Sequence, residues 1–376
     1  MTSQQLSSLT ISLANNVEQD KLLTIPLVNS TLNGPVMICS GLKNQTGVNG
    51  WTVAYVHDTT YTTSGIMRRL WIATAGSVSP GQIYIQIITD GVTAWGNSNL
   101  TSSVDGINNI GLALDLLLTP AGSGTLTFAC DKIGCNTFSP SGGFGGYITI
   151  DVPFTTSFEI LLGTAQTTGY NYWIQPFIEE YPPIVMDIVP YKCYCITSKW
   201  SNTTYNYEYP FFDFQGVGNG VHLLGIKVYI FGLSGNWWEG RFRAYTSTNG
   251  FGQTAIPATG WTSNFTVSNI PTGMSGGRVI LQSTGTEDFF LSSHNWTTAA
   301  NTYNGVYSTS ISGCAYQSNG NTGVISTSSI SVYRFFDCDV IYSLGYNYLT
   351  LTWTSGDPQV GQSGSVTIFC QCWFMA

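Results

Sequence analysis

Charge is what this sequence has least of. Lys and Arg number 12 and Asp and Glu 20 in 376 residues, only 9% of the chain, where an average globular protein of this length carries about 94 charged residues. With a formal net charge of −8, a pI near 4.7 and no Lys/Arg cluster, the positive field that phosphate binding requires is missing, so no direct nucleic-acid partner is expected. Long apolar runs are also lacking: Ile110 to Leu118 is short and carries Asp115, and Val221 to Leu233 is interrupted by His222 and Lys227. No membrane span is therefore expected. The first residues, MTSQQLSSLTISLANNVEQDK, hold no basic segment followed by an apolar core, so no secretory signal is expected. Histidine is scarce too. His57, His222 and His294 are scattered, and a lone histidine is more often a hydrogen-bonded structural residue than a ligand.

Apolar, aromatic and small polar residues fill the space. The chain is 43% hydrophobic and 14% aromatic, with 42 Gly, 21 Tyr, 19 Phe and 11 Trp. Such a composition can bury a core and excludes disorder, and the length allows two domains of ordinary size. The cysteines number nine, an odd count that leaves at least one unpaired if disulfides form. Cys193-Tyr-Cys195 and Cys370-Gln-Cys372 have one intervening residue and no Cys/His pair at ligand spacing, which argues against zinc. On a strand, Cys370 and Cys372 share a face with Val366, Ile368 and Phe374. The cysteines are thus expected to be small buried hydrophobes, with no metal and no other cofactor.

Strand signals dominate, and no helix is convincing: aromatic and β-branched runs are bounded by Gly, Asn, Ser and Pro. Gly81 to Ile88 alternates Ile83, Ile85 and Ile87 against Tyr84, Gln86 and Ile88; Ser365 to Phe374 alternates similarly, and Gly240 to Tyr245 sets Phe242 and Ala244 against Arg241 and Arg243. Further strands are expected at Gly34 to Cys39, Trp51 to Val56, Met67 to Ala73, Gly124 to Ala129, Tyr147 to Val152, Phe158 to Leu162 and Asn171 to Ile178. The second half adds Leu223 to Phe231, Arg278 to Gln282, Ser329 to Phe336 and Leu349 to Thr354. The pattern suits an all-β chain of two tandem eight-stranded antiparallel sandwiches better than one barrel. The joint is expected near Glu180 to Pro190, where Pro182, Pro183 and Pro190 interrupt pairing, giving domains 1–190 and 191–376. Long loops are expected at Thr89 to Leu112, Thr246 to Met274 and Thr297 to Thr327.

The few carboxylates in unusual settings are the chemical candidates. Glu239 follows Trp237 and Trp238, and Glu287 and Asp288 sit in a Gly/Thr turn before Phe289 and Phe290. Aromatic surroundings raise a carboxyl pKa as a general acid needs, and two carboxylates are the minimum equipment for glycoside hydrolysis. Alternatively, Glu239 pairs with Arg241 or Arg243 and Glu287-Asp288 organise a turn. Asn-x-Ser/Thr sequons at Asn29, Asn44, Asn99, Asn202, Asn264 and Asn295 admit glycans, though a chain rich in these residues produces sequons by chance.

Trp238-Glu239-Gly240 and Thr284-Gly285-Thr286-Glu287-Asp288-Phe289-Phe290 resemble the α-D-fructofuranosidase and difructose-anhydride-forming glycoside hydrolases, with Phe289 replacing a tyrosine. Tyr333-Arg334-Phe335-Phe336-Asp337-Cys338-Asp339-Val340 echoes a third motif of that family, with its histidine and proline lost. Weaker echoes are Gly65-Ile-Met-Arg-Arg-Leu-Trp71 and the Gly-rich segment leading to Pro153-Phe154. The resemblance implies a double jelly roll, the architecture shared with major capsid proteins of many double-stranded DNA viruses. It also implies Glu239 and Glu287 as catalytic carboxylates, with Trp237, Trp238, Asp288, Arg334 and Asp339 around the substrate.

Fold alone does not decide function. A soluble monomeric enzyme keeps a charged surface against self-association, whereas subunits covered by neighbours trade charge for aromatics. The expected function is therefore a self-assembling shell protein, a viral major capsid subunit found in the virion. Its expected partners are itself, as a homotrimer and higher lattice, and other shell proteins. The alternatives are a glycoside hydrolase acting on α-furanosides and a non-catalytic carbohydrate-binding protein that stacks sugars on Trp237, Trp238 and Trp261.

Overall fold

The structure, a computed structural model, describes residues 36–39, 43–47, 49–57, 64–75, 82–101, 103–114, 117, 127–129, 133–137, 144–167, 169–180, 192–203, 207–213, 221–233, 241–247, 254–255, 280–285, 304–308, 312–318, 328–342, 348–354 and 366–376. The fold is all-β. The first half supplies β1 (Val36–Cys39), β2 (Lys43–Gly47), β3 (Gly50–Val56), β4 (Gly65–Ala75), β5 (Ile83–Thr89), β6 (Val92–Trp95), β7 (Thr127–Ala129), β8 (Ile133–Thr137), β9 (Phe144–Ile148), β10 (Val152–Phe154), β11 (Phe158–Thr164) and β12 (Tyr170–Glu180). The second half supplies β13 (Cys193–Thr203), β14 (Tyr207–Asp213), β15 (Val221–Leu233), β16 (Arg241–Ser247), β17 (Thr254–Ala255), β18 (Ile280–Gly285), β19 (Asn304–Ser308), β20 (Ser312–Ser318), β21 (Ser328–Tyr342), β22 (Tyr348–Thr354) and β23 (Val366–Met375). Among the described residues one helical turn interrupts them, with the Leu117 N–H donating to the Ala113 carbonyl at 2.9 Å, and no helix is long and apolar enough to cross a membrane.

Three sheets result. Sheet A runs β1-β12-β4-β9-β8-β7, with β2 also on β12 and β10 also on β4; sheet B runs β19-β20-β21-β15-β23-β13-β6-β5-β11-β3; sheet C runs β17-β14-β22-β16-β18. One order recurs. Numbering the principal strands of each half from one to eight, one sheet segment reads first, eighth, third, sixth and the other reads second, seventh, fourth, fifth. In the first half these are β1-β12-β4-β9 and β3-β11-β5-β6; in the second they are β13-β23-β15-β21 and β14-β22-β16-β18. Sheet B therefore joins the second segment of the first half to the first segment of the second half.

Alternation along the strands builds the core. On β12 Tyr170, Tyr172, Ile174, Ile178 and Glu180 are buried while Asn171, Trp173, Gln175, Phe177 and Glu179 are half-buried or exposed. The buried set packs with Ile83, Ile85 and Ile87 of β5 and Phe158, Ile160 and Leu162 of β11, as a period of two requires of a sheet with one face covered. Pro176 lies in the middle of β12, where a missing N–H breaks a ladder. It is accommodated because β2 pairs with Tyr170 to Ile174 and β1 with Phe177 to Glu180, so the interruption falls between two short strands. Pro210 of β14 likewise sits at a register shift against β22.

At the sheet B joint, Trp95 and Cys195 pair in parallel. The Gly96 N–H donates to the Cys195 carbonyl at 2.8 Å and Trp95 Nε1 to the Cys193 carbonyl at 3.1 Å. Trp95 is fully buried. Gly96 has φ +75°, and a Cβ there would lie 2.4 Å from the Ile85 carbonyl oxygen, so only glycine fits.

Several expectations change. The Tyr147 to Val152 segment is split between β9 and β10, the Thr89 to Leu112 stretch contains β6, and Thr297 to Thr327 contains β19 and β20. β13 and β14 are further strands. β19 and β20, NGVYS and SGCAYQS, carry weak apolar alternation and extend sheet B from its β21 side by backbone pairing, which a side-chain pattern does not register. Of the expected domain joint near Glu180 to Pro190, Glu180 ends β12 and residues 181–190 lie outside the described residues.

The β5–β6 hairpin turns on Asp90-Gly91, with φ of 53° and 75°, the left-handed pair favoured in two-residue hairpins. Asp90 Oδ1 accepts the N–H groups of Thr155, Thr156 and Ser157 at 2.9, 2.7 and 3.3 Å and the Thr156 hydroxyl at 3.1 Å. Burial alone would raise this carboxyl, but the bonds from Thr156, Thr155 and Ser157 outweigh it and hold the pKa below its ordinary 3.8. A carboxyl depressed in the folded state contributes stability above its unfolded pKa and loses it as pH falls through the folded value. Asp90→Asn should therefore be less stable than the parent near neutral pH, and the gap should narrow on acidification below about pH 4, measured by urea unfolding across that range.

Candidate functional site

Of the residues singled out from sequence, Glu239, Glu287, Asp288, Trp237, Trp238 and Trp261 lie outside the described residues. Their flanking strands are described. Arg241 of β16 pairs with Gly285 of β18, and Phe242 with Thr284. Glu239 precedes Arg241 by two positions and Glu287 follows Gly285 by two, so the chain enters and leaves one strand pair at the same end of sheet C. Arg334 and Asp339 both fall on β21. Arg334 is partnered by Ile226 of β15 and Ser312 of β20, whereas Asp339 lies where the register jumps from Phe335↔Gly225 to Val340↔Leu223. An insertion of this kind bends a strand and re-aims its side chains.

Among the described side chains, the most concentrated chemistry is sealed. Nε2 of His57, just past β3, meets Oε1 of Glu180, the last residue of β12, at 2.8 Å, with side-chain exposures of 1% and 0%. The approach falls outside the geometry of a well-aligned hydrogen bond. Nδ1 of His57 contacts the Tyr55 hydroxyl at 3.1 Å. The β3 backbone explains the placement: opposite the register shift between Ile160 and Leu161 of β11, Ala54 is the extra residue, so Ala54 and Tyr55 are both buried while Val53 and Val56 face outward. Phe154 and Phe158 pack edge-on or tilted against this group. A carboxylate, an imidazole and a phenol in line resemble a proton relay, but with both ion-pair partners closed to solvent the group works as a core fastener.

Other described ionic groups have polar partners as well. Arg68, the extra residue of a β4 bulge opposite Phe177 and Ile178, donates to Glu179 and Asp151, both at 2.5 Å. Lys227 is buried on β15 and donates to the Leu117 carbonyl at 2.9 Å, a bond from the second half to the helical turn of the first. Asp105 accepts the Ser201 N–H at 3.0 Å and its hydroxyl at 2.9 Å, and lies 3.7 Å from Lys199. With Asn108 N–H donating to Ser198 Oγ at 2.8 Å, these contacts fasten the 97–113 segment onto β13.

Cys193, Cys195, Cys370 and Cys372 are free and buried. Burial pushes the Cys193 thiol up to about 12 and the other three well above the ordinary thiol value. Buried uncharged thiols are poor nucleophiles and poor metal ligands, and the side chains pack as apolar groups. Among the described residues no group of three or more His, Cys, Asp or Glu is arranged to hold a metal. Sequence reasoning missed the His57–Glu180 pair. Both residues were visible as rare ionisable groups, but nothing local links positions on β3 and β12.

These features define an all-β protein of mainly antiparallel sheets, with one parallel pair joining β6 to β13. No known protein family matches the chain, and no curated protein matches its sequence. Among solved structures, the major capsid protein P2 of bacteriophage PM2 aligns at 6% identity over 90% of this chain and 97% of that one, with a TM-score of 0.28. The structure of infectious bursal disease virus, Gx strain, aligns at 12% identity over 92% and 81%, with a TM-score of 0.13. Scores this low do not define a shared fold.

A buried ion pair is hard to break one side at a time, because the survivor is left uncompensated. His57→Ala and Glu180→Ala should each destabilise by about 3–5 kcal/mol, whereas His57→Phe with Glu180→Leu should cost distinctly less than the two alanine losses combined. Urea unfolding of the set checks this.

Proposed function

We propose that the protein is a self-assembling shell subunit with a double jelly-roll fold, the major capsid protein of a double-stranded DNA virus, built into the virion as a homotrimer. The observation that carries this reading is the repeated strand order. Two four-stranded segments ordered first-eighth-third-sixth and second-seventh-fourth-fifth are what folding a long hairpin into an eight-stranded jelly roll produces, and jelly rolls are common in viral capsids. The order occurs twice, which supports jelly rolls over 1–190 and 191–376 and a ring in which three chains supply six similar units.

Composition supports the same reading. With 9% charged residues and 14% aromatics, the chain lacks the charged surface that keeps a free monomer apart from its copies, and it has the residue types that interface cores favour. Sedimentation velocity on the purified protein should show trimers that grow into larger particles as concentration rises. A monomer at every concentration would overturn the reading.

A second reading has its own observation. The pairing of Arg241 with Gly285 favours a glycoside hydrolase, since the motifs bearing Glu239 and Glu287 flank one end of one strand pair. Retaining glycosidases hold their two carboxyls about 5–5.5 Å apart. On this reading, Glu239→Gln and Glu287→Gln each abolish sugar release from aryl α-furanosides; absence of activity in the parent protein rejects it.

A further inference from the structure

Sheet B is continuous only because of one strand. β13 is tied to the first half through the Trp95↔Cys195 pair and through the Gly96 and Gly106 N–H groups, which donate to the carbonyls of Cys195 and Lys199, both at 2.8 Å. β15 is tied to the rest of the second half through β21, which carries β20 and β19. Among the described residues β13 and β15 do not pair with each other, and β23 lies between them. It pairs with β13 from Cys193↔Met375 to Thr203↔Val366 and with β15 from His222↔Met375 to Phe231↔Thr367.

β23 is also clamped at both ends. The Lys192 N–H donates to the Ala376 carbonyl at 3.0 Å and the Ala376 N–H to the Lys192 carbonyl at 3.2 Å, and at the other end the Thr203 hydroxyl donates to the Val366 carbonyl at 2.8 Å. Most of both faces is buried. Val366, Ile368, Cys370, Cys372 and Phe374 line one face and Gln371 and Trp373 the other. Trp373 joins the first-half core, and Phe369 packs with Tyr84, Ala113 and Tyr229. Without β23, two strands of 11 and 13 residues would each keep one edge open, with backbone N–H and C=O groups left without partners.

The pairing pattern says when this slot is filled. The principal strands of the second half form four nested antiparallel pairs, β16–β18, β15–β21, β14–β22 and β13–β23. Closing the outermost pair first would fix the ends of a loop that comprises the whole half, whereas each pair closes a shorter loop once the pair inside it has formed. Zipping from the inside leaves β13–β23 until the end, and the same movement lays β23 beside β15.

We propose that β23 is a closing strap: it enters the slot between β13 and β15 last, and until it does the two halves share no continuous sheet and the chain cannot assemble with its copies. That assembly waits for this step rests on the shell reading, whereas the order of strand entry does not.

Pulsed hydrogen exchange during refolding of the full chain, read by mass spectrometry, tests the order. Peptides of β16, β18 and β21 should gain protection first and those of β13 and β23 together in a later phase, each reaching about tenfold or more over the unfolded chain. β15 should gain protection in two steps, because a central antiparallel strand directs alternate N–H groups to its two neighbours. Protection of β13 and β23 with or before β16 and β18 overturns the inference. Sedimentation velocity on the same refolding mixture should show species larger than the monomer only after the β13 and β23 phase, and larger species before it overturn the inference as well. A chain that completes this phase and stays monomeric at every concentration overturns the shell reading instead, with the order of protection still deciding how the strap closes.

Discussion

A sheet edge cannot be left open inside a protein, and the rest of this structure depends on how one such edge is closed. β6 ends the first-half segment and β13 begins the second-half segment, and each would expose unpaired N–H and C=O groups without the other. Trp95 and Gly96 close the gap with bonds to the carbonyls of Cys193 and Cys195. The joint is short, so side chains reinforce it: the 97–113 segment is fastened to β13 through Asp105 and Asn108, and Lys192 Nζ reaches the Thr89 carbonyl at 3.3 Å. The outcome is a continuous ten-stranded sheet in which neither half completes its surroundings alone.

Scarcity of charge shapes how the interior is tied together. Arg68 holds two carboxylates across β4 and β12, His57 and Glu180 close the core at one end of those strands, and Lys227 serves the backbone of the opposite half. For the buried His57–Glu180 pair and for Lys227, losing the partner would cost more than the pairing gains, whereas the partly exposed Arg68 contacts add little. Apolar burial supplies most of the driving force, and Asp90 shows the same economy at a turn, one carboxylate gathering a whole loop.

Much of the sheet framework was legible in the amino-acid order. Ile83, Ile85 and Ile87 alternate and are buried; Val366, Ile368, Cys370, Cys372 and Phe374 share a buried face. What was not legible has a physical reason in each case. β13 shows similar alternation, but Thr197 to Lys199 is polar, and its burial by both halves and pairing on both edges are long-range relations. The bulges at Ala54 and Arg68 shift side chains by one position, an effect set by partner strands distant in sequence. Of the candidate site, the sequence named Glu239 and Glu287. Their flanking strands are neighbours through the Arg241–Gly285 pair, a long-range relation that spacing alone does not contain.

The four free thiols carry a consequence for the chemical surroundings that the protein can tolerate. Cys193, Cys195, Cys370 and Cys372 have no accessible surface to offer an oxidant or a glutathione molecule, and burial keeps them protonated. Thiol–disulfide exchange needs an accessible thiolate. This part of the core is therefore indifferent to redox potential: it can form in a reducing compartment and persist in an oxidising one with no change in its covalent structure.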